Sequence, residues 1–503
     1  MKTLKYFFEN QSCESKTDKF YEVYNPSTGE HVANMPRLTL DEVKTVIKSS
    51  KQSYSSWSDA PITKRVQILY KVKQLLEENL DELTHLVAFE HGKSWSEAKG
   101  DVLKAIEGTE HAISAPALMM GESLMNISKG YDTVTYREPL GVFVGICPFN
   151  FPAMIPMGWM VPMCLVTGNT MIVKASGATP MSALRIAELY KQAGLPSGVL
   201  SVISCDREVT NELLVNDDIA GISFVGSTAV GSYIYKTAAA AGKRVQALCE
   251  AKNHALVLED AALERSAAGI INAAFGCAGE RCMALPVIVA QESIADKLVA
   301  LLKGQAEKLV IGAAYDKNSQ LGPVYSASHK KSVENWIQKG IDEGAKVVLD
   351  GRGYINPENP NGFYLAPTIF DYVTPEMTIG TEEVFGPVLC VKRVKDFEEG
   401  IKLMNASPFA NGSVIYTQNG YYSREFVKRT DGGMVGINVG IPVPVGFFSF
   451  TGHKKSFFGD LHILGKDGMR FFTETKTVTS HWFDEEEKKQ TKVTTWDGTI
   501  NEK

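Results

Sequence analysis

The run Phe275-Gly276-Cys277-Ala278-Gly279-Glu280-Arg281-Cys282-Met283-Ala284-Leu285 sets a cysteine between a cation and small or apolar neighbours. A thiolate, not a thiol, is the nucleophile, so a working cysteine needs positive or dipolar surroundings. Arg281 supplies positive charge beside Cys282. Cys277 lies close by, but no histidine or further cysteine stands near it at zinc-ligand spacing, so no metal site is read here. Taken alone, the stretch is better read as holding a buried structural cysteine, because free cysteines are among the most buried residue types.

The elements around that stretch change the reading. A chain of 503 residues exceeds one core and is expected to form two or three domains. Residues 20–40 have the pattern of short strands around a turn at Asn25-Pro26-Ser27-Thr28-Gly29. Residues 40–125 read as helices, with Val66, Leu69, Val72, Leu75 and Leu76 at helical spacing. Strands are then expected at 141–146, 170–174, 199–204, 220–225 and 245–248, and helices at 151–165, 180–194 and 228–241. Such alternation implies a parallel, doubly wound sheet whose ligands gather beyond the carboxyl ends of the strands. Asn150, Lys174 and Gly226-Ser227 lie at such ends. The run Gly226-Ser227-Thr228-Ala229-Val230-Gly231 follows a strand and opens a helix, where free N–H groups favour a phosphate. It is neither GxGxxG nor a Walker loop, and taken alone it is better read as an ordinary N-cap with a packing glycine. A second α/β region spans 250–445, with helices near 292–311 and 328–344 and glycine-rich loops at 432–446. Residues 470–479 read as a strand, and the tail from Asp484 as a solvated charged end.

Composition narrows the function classes. Apolar content of 44% and charged content of 22% are ordinary for a globular protein. A net charge of −6 without a basic block argues against nucleic acid or an anionic membrane as partner. The longest apolar run, 149–173, is broken by prolines and glycines and reads as buried helix and strand, not as a membrane span. The first residues lack the pattern of a signal peptide, and eight irregularly spaced cysteines suit the reduced thiols of a cytoplasm.

Seven segments, in this order and spacing, resemble the aldehyde dehydrogenase superfamily over roughly residues 20–482. They are Cys147-Pro148-Phe149-Asn150-Phe151-Pro152-Ala153-Met154-Ile155-Pro156, Ile222-Ser223-Phe224-Val225-Gly226-Ser227, Gly242-Lys243-Arg244-Val245-Gln246-Ala247, Ala251-Lys252-Asn253-His254, Gly279-Glu280-Arg281-Cys282-Met283-Ala284-Leu285, Glu382-Glu383-Val384-Phe385-Gly386-Pro387-Val388 and Phe448-Ser449-Phe450-Thr451-Gly452. The likeness is greatest to the CoA-acylating, methylmalonate-semialdehyde dehydrogenase branch. It implies an α/β protein with three parts. A doubly wound, Rossmann-like NAD-binding domain would take 1–125 and 141–249, and an α/β catalytic domain 250–469. A small β oligomerisation extension would take 126–140 and 470–482, with a charged tail at 483–503.

The resemblance also implies roles. Cys282 becomes the nucleophile toward an aldehyde carbonyl, with Asn150 Nδ2 and its own backbone N–H as oxyanion donors. Lys174 matches the adenosine-ribose contact, with Ser176 and Gly177 beside it. Gly226 and Ser227 match the pyrophosphate contact, Glu383 the nicotinamide-ribose ligand, and Phe385 and Phe149 the cofactor surroundings. Arg281 and Lys104 match the pair that takes a substrate carboxylate, and Phe151 and Phe450 the substrate walls. Hydrolytic members carry a glutamate base where this chain has Leu248, in Leu248-Cys249-Glu250-Ala251-Lys252. A leucine cannot take a proton from water, so transfer to CoA is expected. The small-molecule partners are therefore a malonate or methylmalonate semialdehyde, NAD and CoA.

Departures from the family pattern carry further expectations. Glu250 replaces a glycine near the nicotinamide, where it either crowds the ring or serves as a displaced base. Glu280 replaces a glutamine and is expected to put a carboxylate near Cys282, raising the thiol pKa. Lys104 replaces an arginine and offers a point charge without a bidentate fork. Lys174-Ala175-Ser176-Gly177 lacks the glutamate that repels a 2′-phosphate, so NADP is tolerated beside NAD. An extra residue near Gly158 is expected to kink its helix. Two other readings stand beside the acylating one. One is a hydrolytic enzyme with Glu250 or Glu280 as base; the other is a catalytically silent relative. Edge strands at 126–140 and 470–482 lead to an expected homodimer or homotetramer.

Overall fold

A computed structural model describes residues 2–128 and 130–489 of the chain. Positions 490–503 of the expected charged tail lie outside the described residues. No helix among the described residues is long and apolar enough to cross a membrane.

The first sheet has five parallel strands at its centre, in the spatial order Arg244–Leu248, Ile219–Val225, Val142–Ile146, Thr170–Lys174 and Leu200–Ile203. Helices cover both faces, so Val142–Ile146 and Leu200–Ile203 are buried at every position. That is why these strands appear as continuous apolar runs and not as alternating ones. The strand Val142–Ile146 is paired with Thr170–Lys174 on one side and Ile219–Val225 on the other. Successive connections thus run in opposite directions from it, and a crevice opens beyond the carboxyl ends at this reversal. The second sheet is parallel over His254–Val257, Val287–Gln291, Thr368–Asp371, Val388–Val394, Gly412–Tyr416 and Met434–Ile437, with Lys346–Leu349 antiparallel at one edge.

Several elements differ from the sequence-based expectation. Tyr6–Phe8 pairs with Leu200–Ile203 through Phe7 and Val202, adding an N-terminal edge strand too short to show a pattern. Phe457–Phe458 pairs with the end of Arg244–Leu248. Phe450, Ile463, Leu464 and Met469 join the core of the first sheet, although they lie within 250–469. Ser123–Ser128 is a strand that begins inside the span read as helical. It pairs with Tyr131–Pro139, which pairs along its length with Thr473–His481 to form a three-stranded sheet. The strand expected at 470–479 is preceded by the helix Gly465–Phe471, which takes its first two residues, and the strand itself runs on to His481.

The helix expected at 151–165 is not a uniform α-helix. It opens with a π-helical turn, Ile155–Met160, that runs into the α-helix Val161–Val166. A π-turn absorbs one additional residue in a helix, which is the irregularity expected near Gly158. Gly158 packs against the helix Trp95–Ile113. A Cβ on Gly158 would lie 2.6 Å from Ala105 Cα, and one on Gly108 would lie 2.1 Å from Gly158 O. Only paired glycines allow two backbones so close, and this approach brings the helix that carries Lys104 to the rim of the cleft.

Candidate active site

The loop that carries Cys282 leaves the helix Leu263–Phe275 through a tight turn at Gly276–Gly279. Cys277 and Ala278 adopt left-handed conformations, with φ of 51° and 53°. Side chains rarely accept that region, and strain of this kind persists only where the surroundings impose it. Here they do. Gly279, with φ of 75°, lies so near the Gly386 carbonyl that a Cβ would come within 2.1 Å of the oxygen. Glu97 Oε1 accepts from the Cys277 N–H at 2.6 Å and from Arg281 Nη2 at 2.9 Å. Asn253 Nδ2 donates to the carbonyls of Cys282 (2.9 Å) and Ala284 (2.8 Å), while its Oδ1 accepts from the Gly412 N–H at 2.8 Å. Cys282 is thereby clamped, half-buried, in the cleft wall.

Asn150 Nδ2 lies 3.7 Å from Cys282 Sγ and donates to the Glu280 carbonyl at 3.0 Å. Its own carbonyl accepts from Lys93 Nζ. Lys93 is fully buried, 3.2 Å from Asp101 Oδ2 and 3.7 Å from the centroid of the Phe151 ring. Asp101 Oδ1 accepts from the Met154 N–H at 2.7 Å. One buried ion pair therefore fastens the Asn150 loop, and the chain that follows it, to the helix Trp95–Ile113.

Burial pushes the Cys282 thiol up to about 11, and the Glu383 carboxylate adds to the rise; the Asn150 amide, the residue's own N–H and the Lys93 charge oppose it. In the unliganded protein, alkylation of Cys282 by iodoacetamide should therefore accelerate roughly tenfold per pH unit through neutral and alkaline pH, as the thiolate fraction grows. Asn150→Ala removes a hydrogen bond that favours the thiolate and should move the midpoint higher. A midpoint near the ordinary thiol value of about 8.5, unmoved in Asn150→Ala, would contradict this electrostatic picture.

Glu280 does not do what its sequence position suggested. Its carboxyl points away from Cys282 into a sealed space, where Oε1 accepts from the Tyr325 N–H at 3.2 Å and lies 3.6 Å from His329 Nε2. Oε2 lies 3.8 Å from His91 Nε2, and neither atom has a hydrogen-bond partner. Burial drives the Glu280 carboxyl well above the usual range and the His91 imidazole well below it. The carboxyl group that raises the Cys282 thiol is Glu383, not Glu280. Phe149 closes this space, stacked 3.7 Å from the Tyr325 ring.

Cys282 opens onto a cavity of about 520 Å³ walled by Phe151, Met154, Trp159 and Phe450. Trp159 and Phe450 meet at 4.9 Å between centroids. Arg281 and Lys104 both reach this cavity, as the sequence suggested. Each already holds an acid, however. Arg281 pairs with Glu97, and Lys104 Nζ lies 2.7 Å from Glu107 Oε2. Glu107 Oε1 also accepts from the Gly446 N–H at 2.9 Å. Leu248 ends its strand buried in a small adjoining space that it shares with Cys282, Trp159, Val225 and Asn411, and no carboxylate lines that space.

The remaining predicted residues sit at strand ends and a helix start of the first sheet, and in the loop around Glu383. Lys174 is the last residue of its strand, and its carbonyl accepts from the Cys147 N–H. Ser176 Oγ accepts from the Ala178 N–H at 3.3 Å. Gly177 abuts the Tyr21 ring, which fills the space a side chain at 177 would need. The Gly226 N–H donates to the Leu248 carbonyl, and Ser227 caps the helix Thr228–Ala240 without a side-chain bond. Glu383 Oε1 accepts from the Ala251 N–H at 3.0 Å, and burial pushes its carboxyl up to about 8. Lys252 Nζ braces that loop by donating to the Ile379 and Glu382 carbonyls. Phe385, with φ of 56°, presents its carbonyl to His329 Nε2 at 2.8 Å, and its ring lies 5.9 Å from Phe149. Glu250 is turned to the start of the helix Thr228–Ala240, where Oε2 accepts from the Thr228 N–H at 3.0 Å. These groups suit a dinucleotide: strand ends, a helix start, and a half-buried acid with acceptor capacity left for ribose hydroxyls.

Sequence reasoning missed Lys93, Glu97, Asp101 and Glu107, which lie on or just before one helix and look like a solvated charged face. Asn253 stands inside a quoted segment but received no role. Its pattern gave no hint that it spans three strands' ends.

A half-buried cysteine with an amide donor beside it thus opens onto a largely apolar cavity that two cations reach. The chain belongs to the aldehyde dehydrogenase family, whose model matches residues 13–478. A malonate-semialdehyde dehydrogenase from Geobacillus kaustophilus is 48% identical over 482 residues, covering 96% of this chain and 99% of the relative. Another from Bacillus mycoides is 46% identical with the same coverage. The crystal structure of a methylmalonate-semialdehyde dehydrogenase from Oceanimonas doudoroffii matches with a TM-score of 0.95 at 41% identity, covering 97% of this chain and 100% of that one. A Sinorhizobium meliloti protein, provisionally described by the same name and solved with NAD, matches at 0.95 and 39% identity over 96% of this chain and 99% of its own.

Proposed function

We propose that this protein oxidises malonate or methylmalonate semialdehyde with NAD and hands the decarboxylated acyl group to CoA, giving acetyl-CoA or propanoyl-CoA. Support comes from the named relatives and from the cavity that pairs Cys282 with two cations. Arg281 and Lys104 would hold the substrate carboxylate and so present the aldehyde carbon to Cys282. The thiolate attacks that carbon, and the developing alkoxide meets Asn150 Nδ2 and the Cys282 N–H. Loss of one such donor typically costs about 10²–10³ in rate. When bound, the nicotinamide accepts the hydride released as the thiohemiacetal becomes a thioester. The β-carboxylate then leaves as carbon dioxide, the carbon that held it takes a proton, and the CoA thiol displaces Cys282.

The observation that carries the acylating assignment is Leu248. An aliphatic side chain stands where a base would have to activate water. The other candidate bases are badly placed to do so, since the Glu280 carboxyl is fully buried against Tyr325 and His91 and Glu250 is held at a helix start. A CoA thiol ionises more readily than water and needs less help. The test is to supply NAD and each semialdehyde with and without CoA and weigh the product. Acyl-CoA lacking the substrate carboxylate, formed only with CoA, is expected. Free acid formed equally without CoA would sink the acylating reading in favour of hydrolysis, and failure to bind NAD would point to a silent relative. Gly177 leaves no carboxylate to repel a 2′-phosphate, so NADP should be used less well but measurably. The exposed sheet of Ser123–Ser128, Tyr131–Pro139 and Thr473–His481 is proposed to join subunits of a homodimer or homotetramer in the cytoplasm.

A further inference from the structure

The Glu250 carboxylate sits where the crevice is best built for a phosphate. The helix Thr228–Ala240 starts at the carboxyl end of Ile219–Val225, and its N-cap Ser227 makes no side-chain bond. The first free N–H, that of Thr228, is taken by Glu250 Oε2 at 3.0 Å. No cation pairs with Glu250 among the described residues. Its backbone is fixed, since Ser456 Oγ donates to the Glu250 carbonyl at 2.7 Å and the Cys249 N–H donates to the Ser456 carbonyl at 2.8 Å. The side chain alone is free to leave. It is half-buried and close enough to Glu383 to raise that carboxyl.

We infer that Glu250 is an internal competitor for the dinucleotide: its carboxylate occupies the pyrophosphate position and must be displaced when NAD binds. The inference rests on the dinucleotide reading of the crevice. A diphosphate cannot share the Thr228 N–H with a carboxylate, because both are anions seeking one donor at the positive end of a helix. Binding therefore breaks a charge-assisted hydrogen bond and leaves Glu250 beside the diphosphate and Glu383. The same return stroke helps expel NADH once hydride transfer is complete. Glu250 acts on affinity and release, and does not touch the reacting carbon.

Calorimetry on the full chain with NAD, ADP-ribose and adenosine tests this directly. Glu250→Ala should bind NAD and ADP-ribose about tenfold more tightly than the wild type, the scale of one charge-assisted hydrogen bond. Adenosine, which lacks the diphosphate, should bind both proteins alike. Glu250→Gln keeps shape but loses charge, and should fall between. Stopped-flow release of NADH should slow in Glu250→Ala. Equal or weaker ADP-ribose binding by Glu250→Ala, with NAD still bound by the wild type, would overturn the competitor role while leaving the dinucleotide crevice standing. Absence of NAD binding by every variant would remove both.

Discussion

Replacing Cys282 by alanine should abolish semialdehyde oxidation, lowering turnover by on the order of 10⁵-fold or more, the scale seen when an enzyme's nucleophile is removed. The loss should be confined to chemistry, because the Cys282 side chain is not what fastens its loop. The loop is held by Asn253 on the Cys282 carbonyl, by Glu97 on the Cys277 N–H, and by the Gly279 contact with Gly386. NAD affinity and thermal unfolding should therefore stay near wild-type values. The decisive assay is NADH formation in a single turnover, with CoA omitted so that only thioester formation is counted. An undiminished burst from Cys282→Ala would remove the covalent mechanism. A burst lost together with NAD binding would instead show that the residue's role is structural.

Lys93→Met should destabilise the protein by about 3–5 kcal/mol, because it leaves the buried Asp101 carboxyl facing no cation. Asp101 is fully enclosed, and burial already raises its carboxyl above the usual range. Lys93 also donates to the Asn150 carbonyl and covers the Phe151 ring, so the variant should lose turnover beyond any loss of folded protein. The double variant Lys93→Met/Asp101→Leu separates the two effects. It removes the unpaired charge, so much of the stability should return, whereas Asn150 still lacks its anchor and the turnover defect should persist. Thermal unfolding of the three proteins, with kcat measured on the folded fraction, gives both numbers. A single variant within about 1 kcal/mol of the wild type would show that this pair is not what fastens the Asn150 loop.

Much of the molecule is legible from residue order. Continuous apolar strands at thirty-residue intervals require a parallel sheet covered on both faces, because only that environment buries both sides of a strand. Cys282, Asn150, Lys174 and Glu383 are legible as candidates because each sits in a short segment at the end of a strand or at a tight loop, where backbone geometry limits the sequence. The π-turn at Ile155–Met160 was foreshadowed by one surplus residue near Gly158. Other features needed three dimensions. Glu280 stands two residues from Cys282, yet its carboxyl is buried against Tyr325 and His91, residues far away in the chain. Arg281 and Lys104 read as free cations, but each is paired by a helix residue whose sequence pattern is that of a solvated face. The edge strands Tyr6–Phe8 and Phe457–Phe458 are too short to carry a period, and they exist only because the first sheet offers them open edges. Residue types and spacing determined which groups can do chemistry. Which way each side chain turns, and so which charges survive near the sulfur, was decided by burial and by partners far away in the chain.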